Sequence, residues 1–304
     1  MNNFNIKLPD DVQFIIHTLQ LHGFEAYAVG GCVRDSILGR EPGDWDITTS
    51  AMPEETKALF DKTFDTGIEH GTITVLLNHE GYEVTTYRID GNYSDSRRPD
   101  SVTFTRSLEE DLKRRDFTIN AMMYDYQNEK LIDYYQGQED IKNKCLKMVD
   151  EKTFYEDPLR VLRLAQFMAR FEFQVDLKTK EICQKMVNEG VLQYLSLERI
   201  QQEYNKLLMS SHPSMGLKFL LELNALIRPL ETLATCPQRL DFHPEGNVMN
   251  HTLLVVDLAA LCKDKTSWPL AFMWSALLHD IGKPLVTTPE GKAPGHNESG
   301  VKVF

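Results

Sequence analysis

Val12, Ile15, Ile16, Leu19 and Leu21 recur at helical spacing and Gly23 follows as a stop, which predicts a first helix over residues 10–22. A short apolar run then ends in Gly30 and Gly31 and leads into a helical turn carrying Arg34 and Asp35. Residues 53–60 read as a second, short helix. The period next drops to two: residues 71–78 (GTITVLLN) and 82–89 (YEVTTYRI) are rich in Val, Ile, Thr and Tyr and flank a turn at 79–81, as two strands do. Residues 90–103 carry glycine, proline and polar residues without periodicity, with Arg97 and Arg98 adjacent, and read as a loop. Ser107 and Glu110 make a capping box for a helix over residues 107–123, and residues 123–135 have the look of a hairpin.

Beyond Lys152 the pattern is almost wholly helical. Asp157 and Pro158 form a helix start, with aspartate as cap and proline in the first turn. Leu159, Val161, Leu162, Leu164, Ala165, Phe167 and Met168 make its buried side, while Arg160 and Arg163, three apart, project near each other. Amphipathic helices follow over 177–189, 196–210 and 213–223. Arg163, Arg170, Lys178, Lys180 and Lys185 on these helices form either an electrostatic track for an RNA backbone or a solvated face. The chain is therefore expected to be α+β: a small α/β head with a mostly antiparallel sheet, then an all-α remainder.

Composition changes this picture little. An apolar content of 42% and a charged content of 26% over 304 residues are ordinary for a soluble protein of two or three modules. The formal charge of −12 argues against a general nucleic-acid coat and leaves room for a local basic track. The five cysteines, without C-x-x-C pairing, read as reduced thiols. No basic-then-apolar targeting pattern opens the sequence and the longest apolar run, near residues 270–278, is too short for a bilayer, so a cytoplasmic protein without a membrane partner is expected.

The candidate chemistry begins at Asp44-Trp45-Asp46. On a strand these carboxylates lie side by side, and a divalent cation offsets their repulsion; oxygen-only ligation favours Mg²⁺. Solvation or capping is the plainer role for such a pair. Gly30-Gly31 before a helix offers bare N–H groups for a phosphate. Glu83 could add a third carboxylate, or pair with Arg88, or face solvent. Lys113, Arg114 and Arg115 could clamp a triphosphate or pair with Glu109, Glu110 and Asp111 at the surface. Residues 241–304 carry His243, His251, His279-Asp280 and His296, suited to a hydrolytic metal centre or to a hydrogen-bonded core pair.

Jointly the motifs GGCVRD (30–35), DWD (44–46), RRD (114–116), EDPLR (156–160) and LERI (197–200) resemble the bacterial class II tRNA nucleotidyltransferases, the CCA-adding enzymes of the polymerase-β-like superfamily. From His243 onward the chain resembles, over a shorter and incomplete stretch, an HD phosphohydrolase domain. The resemblance implies a nucleotidyltransferase head over 1–140, a helical neck over 141–210, a body segment over 211–240 and an HD-type domain over 241–304 that stops inside its pattern and reads as truncated. It implies Mg²⁺ on the catalytic Asp44 and Asp46, nucleotide phosphate at Gly31 and Arg34, and triphosphate or base contacts from Arg115, Asp157, Arg160 and Arg163. Gln166 stands where some relatives have an arginine, and the loop over 91–102 looks full length, as in enzymes that add the terminal A.

The activity implied is template-independent addition of CCA to the tRNA 3′ end from CTP and ATP, with pyrophosphate released. A second divalent metal on His251, His279, Asp280 and His296 would serve phosphohydrolysis. The alternatives are a poly(A) polymerase of the same superfamily, or an HD phosphohydrolase with a head that only binds nucleotide.

Overall fold

The computed structural model describes residues 5–91 and 102–303. The chain divides into two compact units, residues 1–157 and 158–304. Residues 141–157, grouped with the helical part on sequence grounds, fall in the first unit. Phe154 explains why: it is fully buried and meets Phe117 edge-on with ring centroids 5.8 Å apart.

In the first unit, helix α1 (Asp10–Leu21) buries Val12, Ile15, Ile16 and Leu19, the stripe read from the sequence. Strand β1 (Ala26–Val29) leads into α2 (Gly31–Ile37), β2 (Ile47–Thr49) and α3 (Pro53–Leu59). Then come β3 (Thr63–Gly67), β4 (Thr72–Leu77), β5 (Glu80–Thr86) and the short pair β6 (Arg88–Asp90) and β7 (Val102–Phe104). Helix α4 (Leu108–Lys113) starts at Ser107, whose hydroxyl accepts from the Glu110 N–H at 3.4 Å. The unit closes with the hairpin β8 (Met122–Asp125) and β9 (Lys130–Asp133), α5 (Gly137–Lys142) and α6 (Glu151–Glu156).

Seven of these strands form one sheet in the order β3-β4-β5-β2-β1-β8-β9. All its pairings are antiparallel except β2 with β5, which run parallel with Ile47 opposite Val84 and Thr48 opposite Thr85. The expectation of a mostly antiparallel sheet therefore holds. Asn78 and His79, both at positive φ, form the two-residue turn of the β4–β5 hairpin, so the strand begins at Glu80 rather than Tyr82. Leu112 of α4 packs with Val29, Ala121 and Met123 and seats that helix on β1 and β8. The basic residues at the end of α4 are thereby brought beside the sheet.

The second unit is nearly all helix. α7 (Leu159–Phe171) follows Pro158, which precedes the helix rather than lying in its first turn. α8 (Leu177–Asn188), α9 (Leu197–Leu208), α10 (Pro213–Glu222) and the short α11 (Arg228–Glu231) come next. α12 (Val248–Ala260), α13 (Pro269–Leu278), α14 (Lys283–Val286) and α15 (His296–Gly300) complete it. Helix α7 packs on α9 and α10, α10 on α12, and α12 on α13, so the histidine-bearing segment shares one core with the helices before it.

Candidate nucleotide and metal sites

Asp44 and Asp46 do not lie on a strand; β2 starts one residue later, at Ile47. Both neighbours of β2 begin their regular pairing at Ile47, and Pro42 and Gly43 break the chain upstream. One ladder bond still reaches back, since the Val29 N–H donates to the Asp46 carbonyl at 3.0 Å. Asp44 and Asp46 are exposed, Trp45 between them is half-buried, and all three line one cleft of about 920 Å³. The expected neighbourhood of the pair is present, on an extended lead-in instead of a strand.

The parallel register puts Glu83 beside Asp46, and Glu83 lines the same cleft. Glu83 is exposed, as one of its expected roles allowed, yet partial loss of solvent around its carboxyl pushes it above its usual range, and Asp46 and Asp44 push it further. The protein around the Asp46 carboxyl also raises it, although the residue opens to the cleft; Arg115 opposes the shift and Asp44 adds to it. Asp44, Asp46 and Glu83 thus offer oxygen-only side chains along one cleft, a donor set a divalent cation suits. Glu83 does not join the aspartates in a tight trio: among the described residues, groups of three ligand atoms within 4.8 Å occur only in the second unit.

Behind the aspartates lies a carboxylate whose importance the sequence concealed. Asp111 is completely buried. Its Oδ1 accepts from the Arg88 N–H at 3.2 Å and Arg114 Nε at 3.0 Å, and its Oδ2 accepts from Thr48 Oγ1 at 3.4 Å. Arg115 Nη2 lies 3.5 Å from Oδ2. Burial alone would raise the Asp111 carboxyl, but Arg114 and Arg115 outweigh it and hold it below the usual range. The signal was the i, i+3 and i, i+4 spacing of Asp111 to Arg114 and Arg115. Burial lowers the Arg115 pKa, and the charges of Asp111 and Asp46 act against that shift.

Gly30 has φ +79°, and a Cβ there would sit 3.0 Å from Arg115 Nη1, so glycine lets the guanidinium lie against the β1–α2 turn. Arg34 is buried, with its Nη2 3.6 Å from where a Gly31 Cβ would be. Its Nε donates to Asp35 Oδ1 at 2.9 Å and its Nη1 to Asn120 Oδ1, while Asn120 Nδ2 donates to Asp116 Oδ1 at 2.9 Å. The structure thus gathers Gly30, Gly31, Arg34 and Arg115 at one turn, with the charge of Asp46 acting on Arg115.

Asp157 is half-buried at the end of the first unit. On α7, Arg160 is buried and Arg163 lies over the Phe167 ring, 5.5 Å from its centroid, while Gln166 is buried at the next turn. Lys180 pairs with Glu222 at 2.8 Å and Arg170 covers the Phe171 ring, which ties down two members of the supposed basic track. The residues of the 91–102 loop numbered 92–101, with Arg97 and Arg98, lie outside the described residues.

In the second unit His251, His279 and Asp280 bring one ligand atom each within 4.8 Å of one another, and His296 approaches the other oxygen of Asp280 without joining that group. Asp280, 3% exposed, is the centre. His279 Nε2 stands 3.2 Å from its Oδ2, His251 Nε2 4.0 Å from Oδ2, and His296 Nε2 3.5 Å from Oδ1. Gly282 makes room for this: a Cβ there would lie 2.0 Å from the His296 carbonyl oxygen. Burial would raise the Asp280 carboxyl, but His279 and Lys283 outweigh it and hold it at about 2. Asp280 in turn raises His279. Two participants were missed. Lys283 Nζ is 2.7 Å from Asp280 Oδ2, and Glu245 Oε1 is 2.7 Å from His251 Nδ1 and 3.1 Å from His243 Nδ1. Their spacings, i+3 from Asp280 and H-x-E at 243–245, were the available signals.

Comparison with known proteins adds the following. Residues 26–147 match the model of the poly A polymerase head domain, and residues 172–234 that of a probable RNA- and SrmB-binding site of polymerase A. The chain is 46% identical over 221 residues to the CCA-adding enzyme of Lactobacillus helveticus, covering 71% of this chain and 55% of that protein. It is 50% identical over 196 residues to the CCA-adding enzyme of Listeria monocytogenes, covering 64% of this chain and 49% of that one. The chain thus spans about half the length of the curated relatives it matches. Its fold is similar to the crystal structure of the Bacillus stearothermophilus CCA-adding enzyme in complex with CTP, at TM-score 0.65 and 29% identity, covering 98% of this chain and 83% of that one. A tRNA nucleotidyltransferase complexed with a primer tRNA and an incoming ATP analog is similar at TM-score 0.58 and 26% identity, over 86% and 80% of the two chains.

Proposed function

The chain belongs to the family of nucleotidyltransferases that includes the CCA-adding enzymes, and from that membership we propose that it builds CCA on tRNA 3′ ends from CTP and ATP without a nucleic-acid template. The observation that carries the proposal is the cleft that holds Asp44 and Asp46, with the charge of Arg115 acting on Asp46. The 3′-hydroxyl oxygen of the tRNA forms a bond to the α-phosphorus and its proton departs. The bond from that phosphorus to the bridging oxygen breaks, and pyrophosphate leaves. Asp44 and Asp46 would hold divalent ions, Mg²⁺ for an oxygen-only set. When bound, such ions lower the pKa of the hydroxyl and stabilise charge on the leaving oxygens.

The chain's own groups position the phosphates and offset their charge. The Gly31 N–H, Arg34 and Arg115 take the triphosphate, and Arg163 adds a further contact to it or to the base. Asp157 and Arg160 read the base. Aspartate accepts from an exocyclic amino group and arginine donates to the adjacent ring nitrogen. Cytosine and adenine both offer that pair, whereas uracil and guanine reverse both polarities. Arg160 is buried, so a base that meets it with the wrong polarity is costly. Asp157→Ala is expected to relax rejection of UTP and GTP by on the order of 10²-fold. Competition kinetics against CTP measure this, and unchanged selectivity in a folded variant sinks the assignment.

The test of the function is extension of a tRNA that ends before CCA, read at one-nucleotide resolution with each nucleotide alone and with both. Two C residues from CTP followed by one A support the proposal; no incorporation from CTP removes it, and a run of A makes the chain a poly(A) polymerase. Work at this tRNA end fits a cytoplasmic location, and among the described residues no helix is long and apolar enough to cross a membrane.

A second reading concerns residues 241–304, where three imidazole Nε2 atoms converge on Asp280. Three nitrogens and a carboxylate suit a transition-metal ion. We infer a metal-dependent phosphohydrolase acting on nucleotide ends. His279→Ala is expected to abolish phosphate release; equal release from both proteins removes the inference.

A further inference from the structure

We propose that Glu245 is a positioning residue for the cation site around Asp280, acting by fixing which nitrogen of His251 faces that site. The inference rests on the metal-site reading of residues 241–304. A carbonyl oxygen only accepts hydrogen bonds, so a ring nitrogen held by one must carry the proton. His279 Nδ1 is 2.8 Å from the Ala276 carbonyl and His296 Nδ1 is 2.8 Å from the Ala293 carbonyl. In the neutral ring each therefore presents the lone pair of Nε2, and those two Nε2 atoms are the ones nearest Asp280.

His251 reaches the same arrangement by different means. It stands in the first turn and a half of α12, and its Nδ1 meets a side chain, Glu245 Oε1, at 2.7 Å. The Nε2 of the ring is thereby the free lone pair, 4.0 Å from Asp280 Oδ2. Glu245 is itself held. Asn250 Nδ2 donates to its backbone carbonyl at 2.9 Å, and His243 Nδ1 shares Oε1 at 3.1 Å with the two imidazoles edge-on, centroids 4.8 Å apart. Two of the three rings are thus fixed by backbone that no substitution removes, and the third by one replaceable carboxylate.

Without Glu245 the His251 ring is free to protonate Nε2, or to turn and offer Nδ1, so part of the population lacks a ligand. Loss of such a partner typically weakens metal binding by about 10–100-fold. The measurement is Co²⁺ titration of the 304-residue chain, followed through its visible bands, which nitrogen ligands shift to shorter wavelength than the all-oxygen ligands of the first unit give at the same coordination number. Glu245→Ala is expected to raise the Co²⁺ Kd by about 10–100-fold. Glu245→Gln, whose amide oxygen still accepts from Nδ1–H, restores most of the affinity. In a His251→Ala background, Glu245→Ala has no further effect, because its route of action is gone.

Glu245→Ala that binds Co²⁺ as tightly as the unaltered chain overturns the proposal, as do additive losses in the double variant. Two nitrogen-bound ions per chain, one of them lost with Glu245, would make it a ligand of a second site and also overturn it. If the unaltered chain and His279→Ala give the same oxygen-only spectrum, the metal-site reading itself fails. If they differ and Glu245→Ala does not, only the positioning role falls.

Discussion

Asp46→Asn is expected to lower nucleotide addition by on the order of 10³-fold, about 4 kcal/mol of transition-state stabilisation, without lowering the melting temperature. The two halves of that result come from one geometry. Asp46 is exposed to the cleft, so changing it opens no core, and its carboxyl is pushed up by surrounding protein and by Asp44. A group whose ionised form is disfavoured in the folded chain costs stability when charged, so a neutral isostere leaves the fold as stable or slightly more so. The same charge is what holds an ion on an oxygen-only site. Single-turnover extension with CTP, repeated over a range of Mg²⁺, and a thermal melt check both halves. Activity within tenfold of the unaltered chain would falsify the assignment of Asp46.

Asp111→Asn is expected to do the reverse, lowering the stability of the first unit. Removing one member of a buried ion pair costs about 3–5 kcal/mol. Arg114 and Arg115 keep 15% and 17% side-chain exposure, which favours the low end. For a unit of this size about 3 kcal/mol corresponds to a melting temperature about 6–12 °C lower. The acid dependence carries the sign. The folded pKa of Asp111 is depressed, so its contribution is full above the unfolded value near 3.9 and fades as pH falls through the folded one. The two melting temperatures therefore converge from about pH 4 downward. A constant gap across that range, or none at neutral pH, contradicts the role given to Asp111.

Features decided within a few residues were legible in the sequence. The apolar stripe of α1 apart from the exposed Leu21, the Ser107 cap and the β8–β9 hairpin depend on local spacing and are present, whereas the helix expected from that cap to Met123 ends at Lys113. The polar edge strand β3 was not read, because its TFDTG sequence is largely exposed and shows no buried alternation. The parallel pairing of β2 with β5 joins segments far apart in sequence, so Glu83 could be suspected beside Asp46 but not placed there. Asp111 looked like one acid among three at a helix start. Only the seat of Leu112 on the sheet turns Asp111 inward and leaves Glu109 and Glu110 outside. His279 and Asp280 announced themselves as a polar pair ending an apolar helix, whereas Glu245 has no such contrast around it.

The hub at Asp111 also bears on turnover. Arg115 has a resident partner in Asp111, 3.5 Å away. In the proposed reaction, departure of pyrophosphate would leave the guanidinium with its resident counter-ion rather than as an isolated buried charge, so the exit of product would carry no full desolvation cost. On the proposed function, a cleft emptied and refilled three times on one primer would gain from an arginine that grips without holding on.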